Sequence, residues 1–252
     1  MSMDKESQLL ISHLSDLADE TAFQYYCTFS DFLNLNEQSV FFENRDKFLH
    51  VSFEMSGGCE CAERRMIKFF NDYCSALSYP IVCIKIQAVS EKFSDRFTHR
   101  DFLGAVLNLG ISRSKIGDMI IEDNKAYMFV SEPISQYICD SLEKVKHTKV
   151  TAVLSEIPQA AVSPKFKTKQ GTVSSIRIDS LISLAFNLSR NNAVRYIAQG
   201  LVFINGKLVT GNHTIPRNND IISVRTLGRF KLETTDLKSK KDKFIVKIHV
   251  YI

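Results

Sequence analysis

No stretch of the 252 residues approaches the ~18 consecutive apolar positions that a helix needs to cross a bilayer, so a membrane-spanning protein is not expected. The opening MSMDKESQLL lacks a basic region followed by an apolar one, and the chain reads as cytoplasmic. The six cysteines, Cys27, Cys59, Cys61, Cys74, Cys83 and Cys139, mostly sit within apolar patterns, which suits reduced, packed thiols better than a disulfide framework. Cys59 and Cys61 form the one close pair. With no second Cys or His pair at ligand spacing, the four donors of a structural zinc site are missing, and neither a metal nor a cofactor is expected. Glycine-rich phosphate loops are missing too. His99-Arg100-Asp101 begins like a protein-kinase catalytic loop, but the nearest Asn, Asn108, comes seven residues after the Asp instead of five, and no D-F-G accompanies it.

What is present is an ordinary globular composition, 44% hydrophobic and 24% charged, enough for two or three compact domains. The net charge of +4 conceals an asymmetry. Residues 1–78 carry 6 Lys/Arg and 13 Asp/Glu (net −7), residues 79–155 carry 10 and 9 (net +1), and residues 156–252 carry 16 and 6 (net +10). Concentrated positive charge is the footprint of a polyanion partner. An anionic membrane surface competes with nucleic acid for such a segment, but these charges are spread over turns and strands and no long amphipathic helix carries them, which favours RNA.

The basic third of the chain is also the most patterned. Ile178, Leu181, Ile182, Ala185 and Leu188 recur at helical spacing, and a second helix follows from Ser189, a good N-cap, with Ala193, Val194 and Ile197 inward and Gly200 at its end. Asn205-Gly206 between Val202–Ile204 and Lys207–Val209 is a strong hairpin signal, because both central residues of that turn need positive φ. Asn218-Asn219-Asp220 makes another turn before Ile221–Val224, and the alternation of Phe244, Val246, Ile248 and Val250 with Lys247, His249 and Tyr251 predicts a last strand beside Arg229–Leu232. Outside that core lie Arg177, Ser189, Arg190, Asn192, Arg195, Asn205, Lys207, Arg225, Arg229 and Lys231, the candidate RNA contacts. Arginine suits the role, since it pairs with a phosphate through two parallel hydrogen bonds and displaces condensed counterions. A solvated basic surface is the plain alternative for any one of them.

Upstream, a helix is expected through Leu10, Leu14, Leu17 and Ala18, with Phe23, Tyr26, Cys27 and Phe29 continuing a buried pattern. A short helix capped by Asn36 is expected to follow, then a half-buried strand with Leu49, Val51, Phe53 and Met55 inward. Ala62–Tyr73 reads as a helix burying Met66, Phe69, Phe70 and Tyr73, with Arg64, Arg65 and Lys68 on its solvated side. From Pro80 on, strand Ile81–Ala88, helix His99–Leu109, strands Met119–Glu122 and Lys125–Ser131, helix Ile134–Val145 and strand Lys149–Leu154 follow in the order βαββαβ, a ferredoxin-like arrangement that several RNA-binding modules use. Lys85, Tyr127 and Phe129 share one sheet face and, with Arg100, make a candidate second RNA surface; packing beneath the N-terminal domain explains the two rings equally well.

R-I-D at Arg177–Asp179, S-R at Ser189–Arg190, G-L-V-F-I-N-G, N-D-I-I-S-V-R and G-R-F resemble an S4 domain. Together with G-G-C-E-C-A-E-R at Gly57–Arg64 and H-R-D-F-L-G-A-V-L-N-L-G-I-S-R-S-K-I-G-D at His99–Asp118, they make the whole chain similar to the YlmH family of bacterial S4-domain proteins. Cys59 and Cys61 depart from the Tyr and Gly expected there, which weakens any metal or redox role for them. The resemblance implies an α+β chain: an N-terminal α/β domain over 1–78, a ferredoxin-like RNA-binding domain over 79–156 and an S4 (alpha-L) domain over 175–252. Between the last two, Pro158, Pro164, Lys165, Lys167, Lys169 and Gly171 read as a basic linker over 157–174 able to act as a hinge. The resemblance further implies association with the large ribosomal subunit and tRNA, in rescue of stalled nascent chains, and the chain is expected to bind rRNA or tRNA without catalysis. Two rivals stay open. One is an RNA-modifying enzyme with an S4 domain, against which stand the missing cofactor loop and the little room for a pseudouridine synthase domain in residues 1–155. The other is a division or scaffold protein that binds proteins through its acidic N-terminal domain.

Overall fold

The computed structural model describes residues 5–24, 26–59, 62–72, 77–90, 95–156, 166–239 and 241–251, which group into two units, Met1–Ser163 and Pro164–Ile252. In the first unit α1 (Lys5–Gln24) buries Ile11, Leu14 and Ala18, spaced three and four apart on one face. Phe23 and Tyr26, expected inside, are exposed: Phe23 is not among the buried positions of α1, and Tyr26 follows the helix before β1 (Thr28–Phe29) begins. The cap of α2 (Leu35–Glu43) is Asn34, not Asn36: its side chain accepts the Asn36 and Glu37 N–H groups, and Glu37 accepts the Asn34 N–H in return. That reciprocity needs an acid three residues after the cap, which Asn34 has.

β2 (Ser52–Ser56) and β1 flank β3 (Met66–Phe70) in a three-stranded antiparallel sheet. Met66–Phe70, inside the helix expected over Ala62–Tyr73, is therefore a strand, and Tyr73 lies outside the described residues. Met66, Ile67, Lys68 and Phe69 are all buried, since the central strand is covered on both faces and its apolar run imitates helical spacing. Lys68 is 2% exposed and pairs with Glu54 at 3.0 Å, so it does not belong to a solvated face. Leu49 lies before β2 and is exposed.

β4 (Ile81–Ala88), α3 (His99–Leu107), β5 (Ile116–Glu122), β6 (Lys125–Ser131), α4 (Ser135–Ser141), β7 (Lys144–Val145) and β8 (Thr148–Leu154) build an antiparallel sheet of order β5-β6-β4-β8-β7. Without the short β7 this is the ferredoxin-like order. Helix α4 is shorter than the Ile134–Val145 expected, because Leu142 turns extended and the chain then pairs with β8. Phe102, Val106 and Ile138 of the two helices pack on Ile84, Ile86, Met128 and Val130 from one sheet face. The opposite face, through Cys83 and Phe129, meets Phe32 and Met66 of the N-terminal layer.

The second unit runs β9 (Phe166–Val173), α5 (Ile178–Phe186), α6 (Arg190–Ala198), β10 (Val202–Ile204), β11 (Lys207–Leu208), β12 (Ile221–Val224), β13 (Gly228–Lys238) and β14 (Phe244–Tyr251), with sheet order β11-β10-β12-β13-β14-β9. Ile178, Leu181, Ile182 and Ala185 of α5, with Ala193 and Ile197 of α6, bury Val202, Ile222, Phe230, Leu232, Val246 and Ile248. Asn205 and Gly206 take φ of 48° and 80°, the left-handed turn that their sequence predicts. The basic linker expected over 157–174 is corrected in its second part. Residues 157–165 lie outside the described set, while Phe166–Val173 is an edge strand paired over eight rungs with β14. Its lysines misled because one of them is structural: Lys169 donates to the Ala185 carbonyl at 2.6 Å and to Asn187 Oδ1 at 3.1 Å, closing the C-terminal end of α5.

Candidate nucleic-acid interface

Helix α6 starts at Ser189, whose hydroxyl accepts the Asn192 N–H at 3.3 Å. With Ala193 and Ile197 buried, Asn192, Arg195 and Gln199 are left exposed on one side. Arg190 is more constrained. Asp179, 1% exposed on α5, accepts from Arg190 Nε and Arg177 Nη2, each at 3.0 Å, and from the Ser180 N–H at 2.8 Å. Burial alone would raise the Asp179 carboxyl; the Arg190 hydrogen bond and charge, the Ser180 amide and the Arg177 charge outweigh it and hold the carboxyl below the usual range. The R-I-D and S-R segments thus meet in one ion triad.

That triad revises the candidate set. Arg177, with a quarter of its side chain exposed and a buried Nε that has no hydrogen-bond partner among the described residues, braces α5 and is not a free phosphate anchor. Arg190 shares the brace but keeps half its side chain in solvent. Asn205 is committed as well: its amide donates to Asp220 at 2.9 Å and accepts the Ile221 N–H at 2.9 Å, locking the hairpin to β12. Lys207, on β11 beyond the turn, is exposed.

Arg225, Arg229 and Lys231 do not join this group. Strand alternation sets Arg229 and Lys231 opposite buried Phe230 and Leu232, which face the helices, so the candidate contacts divide between two surfaces on opposite sides of the sheet. On the outer side the Arg225 guanidinium lies 4.9 Å from the Phe203 ring and that of Arg229 lies 4.3 Å from the Tyr251 ring. Phe203, Tyr251 and Phe166 were not among the candidates. The alternation of β14 pointed to Tyr251, but Phe166 stood in a presumed linker and Phe203 in a hairpin read for its turn.

In the first unit the second candidate surface is also divided. Phe129 is 2% exposed beneath Phe32 and Met66 and cannot stack on a base; Lys85 and Tyr127 face each other across β4 and β6, both half-buried. Packing under the N-terminal layer is the reading that holds for Phe129. Arg100 is on α3, on the far side of that sheet, where it lines a groove of about 600 Å³ with Asn108, Lys144 and Lys146. Beside it Asp101 closes a capping box with Thr98 and pairs with Lys146 at 2.9 Å; the Thr98 hydroxyl, Lys146 and the Thr98 amide pull its carboxyl down to about 2.

The two upstream motifs converge on a seam between the layers. Arg64 Nε donates to the Ile116 carbonyl at 2.9 Å, and its Nη2 donates to Phe32 at 2.8 Å and Arg113 at 3.3 Å. Arg113 in turn donates to the carbonyls of Ile116 and Gly117. Burial, and then the charge of Arg64, bring the Arg113 guanidinium down to about 10. Glycine is required at two points: a Cβ on Gly58, at φ 91°, would stand 2.4 Å from the Phe129 ring, and one on Gly117 would stand 2.7 Å from Phe32. Cys61 and Cys74 lie outside the described residues. Cys83 is packed in the same seam, where burial raises its thiol to about 11.

Residues 76–159 match the family model described as "Putative RNA-binding domain in YlmH", and residues 176–222 match the S4 domain. The chain is 28% identical over 229 residues, 88% of its length and 87% of the relative's, to the ribosome-associated protein quality control protein P2 of Bacillus subtilis (strain 168). The solved structure of the cell division protein ylmH from Streptococcus pneumoniae matches with a TM-score of 0.50 at 18% identity, covering 62% of this chain and 94% of that one, a likeness of fold. The first matched segment contains the ferredoxin-like sheet and the second the α5–α6 pair with its hairpin, and on these grounds the chain belongs to the YlmH family of S4-domain RNA-binding proteins.

Proposed function

We propose that this protein is a non-catalytic RNA-binding factor that docks on folded rRNA or tRNA through the exposed side of α6, on the large ribosomal subunit in the cytoplasm, in quality control of stalled nascent chains. The observation that carries the reading is the composition of that side. Asn192, Arg195 and Gln199 stand together in solvent, next to the half-exposed guanidinium of Arg190 and the N-terminal end of a helix, where backbone N–H groups and the helix dipole favour a phosphate. In this reading Arg190 and Arg195 contact phosphates, Lys207 extends the contact, and Arg177 and Asp179 set the angle between the two helices. The name of the Bacillus subtilis relative supports the ribosomal setting. The division of the chain into an acidic N-terminal domain, a ferredoxin-like domain and an S4 domain belongs to the same proposal, with the central domain supplying a further contact through Arg100.

Filter binding of a structured RNA across a salt series tests the placement. Arg195→Ala, at an exposed position without a structural partner in the triad, is expected to weaken binding about tenfold at low salt and to reduce the salt slope by about one. Affinity and slope both unchanged would refute the α6 placement.

A further inference from the structure

We propose that the outer face of the six-stranded sheet is a second RNA site, one that takes unpaired nucleotides by stacking. It goes beyond the α6 reading, because it uses the opposite side of the sheet.

The register of the strands sets a single transverse row. Leu208 pairs with Phe203, Phe203 with Ser223, Ser223 with Arg229, and Tyr251 with Phe166, while the Arg229 guanidinium lies over the Tyr251 ring and joins the two halves. The row crosses all six strands, β11-β10-β12-β13-β14-β9. At about 4.8 Å between neighbouring strands, the distance from Phe203 to Phe166 is about 19 Å. Flat π surfaces occur at both ends of that span: Phe203 under Arg225 at one, and Tyr251 with Phe166 edge-on to it at 4.8 Å at the other. All three rings are partly exposed. Arg225 and Arg229 are exposed beside them, and Lys231 stands two rungs further along the same face. Glu233, an acid on this face, is engaged by Lys247 at 2.7 Å and His249 at 2.9 Å, so its charge is locally offset.

Rings interleaved with cations are what a single strand needs. Each base offers a π face to a ring or to a guanidinium plane, and the backbone follows the positive charge. A duplex cannot use the rings, because its bases are already stacked on one another. A protein partner would bury apolar area, whereas the middle of this row is Ser223 and Arg229. The strands β9, β13 and β14, which hold Phe166, Arg229 and Tyr251, also lie outside the 176–222 segment that matches the S4 domain. The half of the site that holds Phe166, Arg229 and Tyr251 therefore lies beyond that segment, while Phe203 lies within it.

Fluorescence anisotropy with the full chain, a labelled octauridine and a labelled stem-loop separates the two surfaces. Phe166→Ala/Tyr251→Ala is expected to lower octauridine affinity tenfold or more while changing stem-loop affinity less than threefold. Tyr251→Phe, which keeps the ring, is expected to bind octauridine like the parent, and Arg195→Ala is expected to reverse the pattern. The proposal is overturned if the double variant holds octauridine within twofold, as it would were the face a protein-docking surface, or if Tyr251→Phe loses as much as the alanine variant. Should the double variant unfold in a urea titration, photocrosslinking a 4-thiouridine octamer to the unsubstituted chain decides. Adducts on β9 or β14 support the site, and adducts confined to α6 overturn it. Loss of stem-loop binding alone in Arg195→Ala would leave the α6 reading standing whatever the octamer does.

Discussion

Arginine has opposite employment in the two units. In the first, Arg64 and Arg113 are half-buried between the layers and spend their donors on the backbone carbonyls of Phe32, Arg113, Ile116 and Gly117. In the second, Arg195, Arg225 and Arg229 are exposed, and Arg190 is half so. A guanidinium is versatile in this way because its planar fork satisfies several acceptors when buried and matches a phosphate when exposed. The difference teaches that a count of basic residues does not locate an RNA surface; what matters is where each fork finds its acceptors. Arg177 and Arg190 lie between the two cases, sharing buried Asp179.

The comparison can be broken at three places. Phe129→Ala removes a ring at the seam between Phe32, Met66 and Cys83 and should destabilise the first unit by about 4 kcal/mol, read from urea denaturation, with the RNA affinity of the folded protein unchanged. A selective loss of RNA binding without loss of stability would return Phe129 to the RNA surface. Arg64→Ala removes the Arg64 donors from the Phe32 and Ile116 carbonyls, so a loss of about 3 kcal/mol is expected in the same measurement. A neutral outcome would mean the seam is held by its apolar contacts alone.

Asp179→Asn tests the intermediate case, with an expected cost of about 2 kcal/mol, discounted because Arg190 is half in solvent. The pH dependence has a definite sign. The Asp179 carboxyl is held below its usual value in the folded state, so its stabilisation is complete above the unfolded value of about 3.9 and is lost as pH falls through the lower folded value. The gap between parent and variant should therefore close in acid. A gap that stays constant from pH 6 down to pH 2 would show that Asp179 contributes by its shape and not by its charge.

Much of this was legible beforehand. The α5–α6 pair, the Asn205-Gly206 hairpin, the last strand and the βαββαβ order all follow from local period, capping and turn chemistry, which neighbouring residues carry by themselves. Both misreadings concern strands. Met66–Phe70 looked helical because a strand covered on both faces has no alternation to display. Phe166–Val173 looked like a linker because its lysines hid a backbone paired rung by rung with a strand some eighty residues away.

By itself the sequence determined the fold class and the concentration of positive charge at the C-terminal end, since periodicity, turn residues and charge are properties of short windows, and its quoted motifs carried the resemblance to the family. Only the tertiary structure decided which arginines are braces and which face solvent, that Phe129 is covered, and that the basic residues of the second unit divide between two surfaces. Those outcomes depend on strand register and on acceptors supplied from distant segments, such as Asp179 for Arg190 and Phe32 for Arg64, and no local pattern encodes a partner that far along the chain.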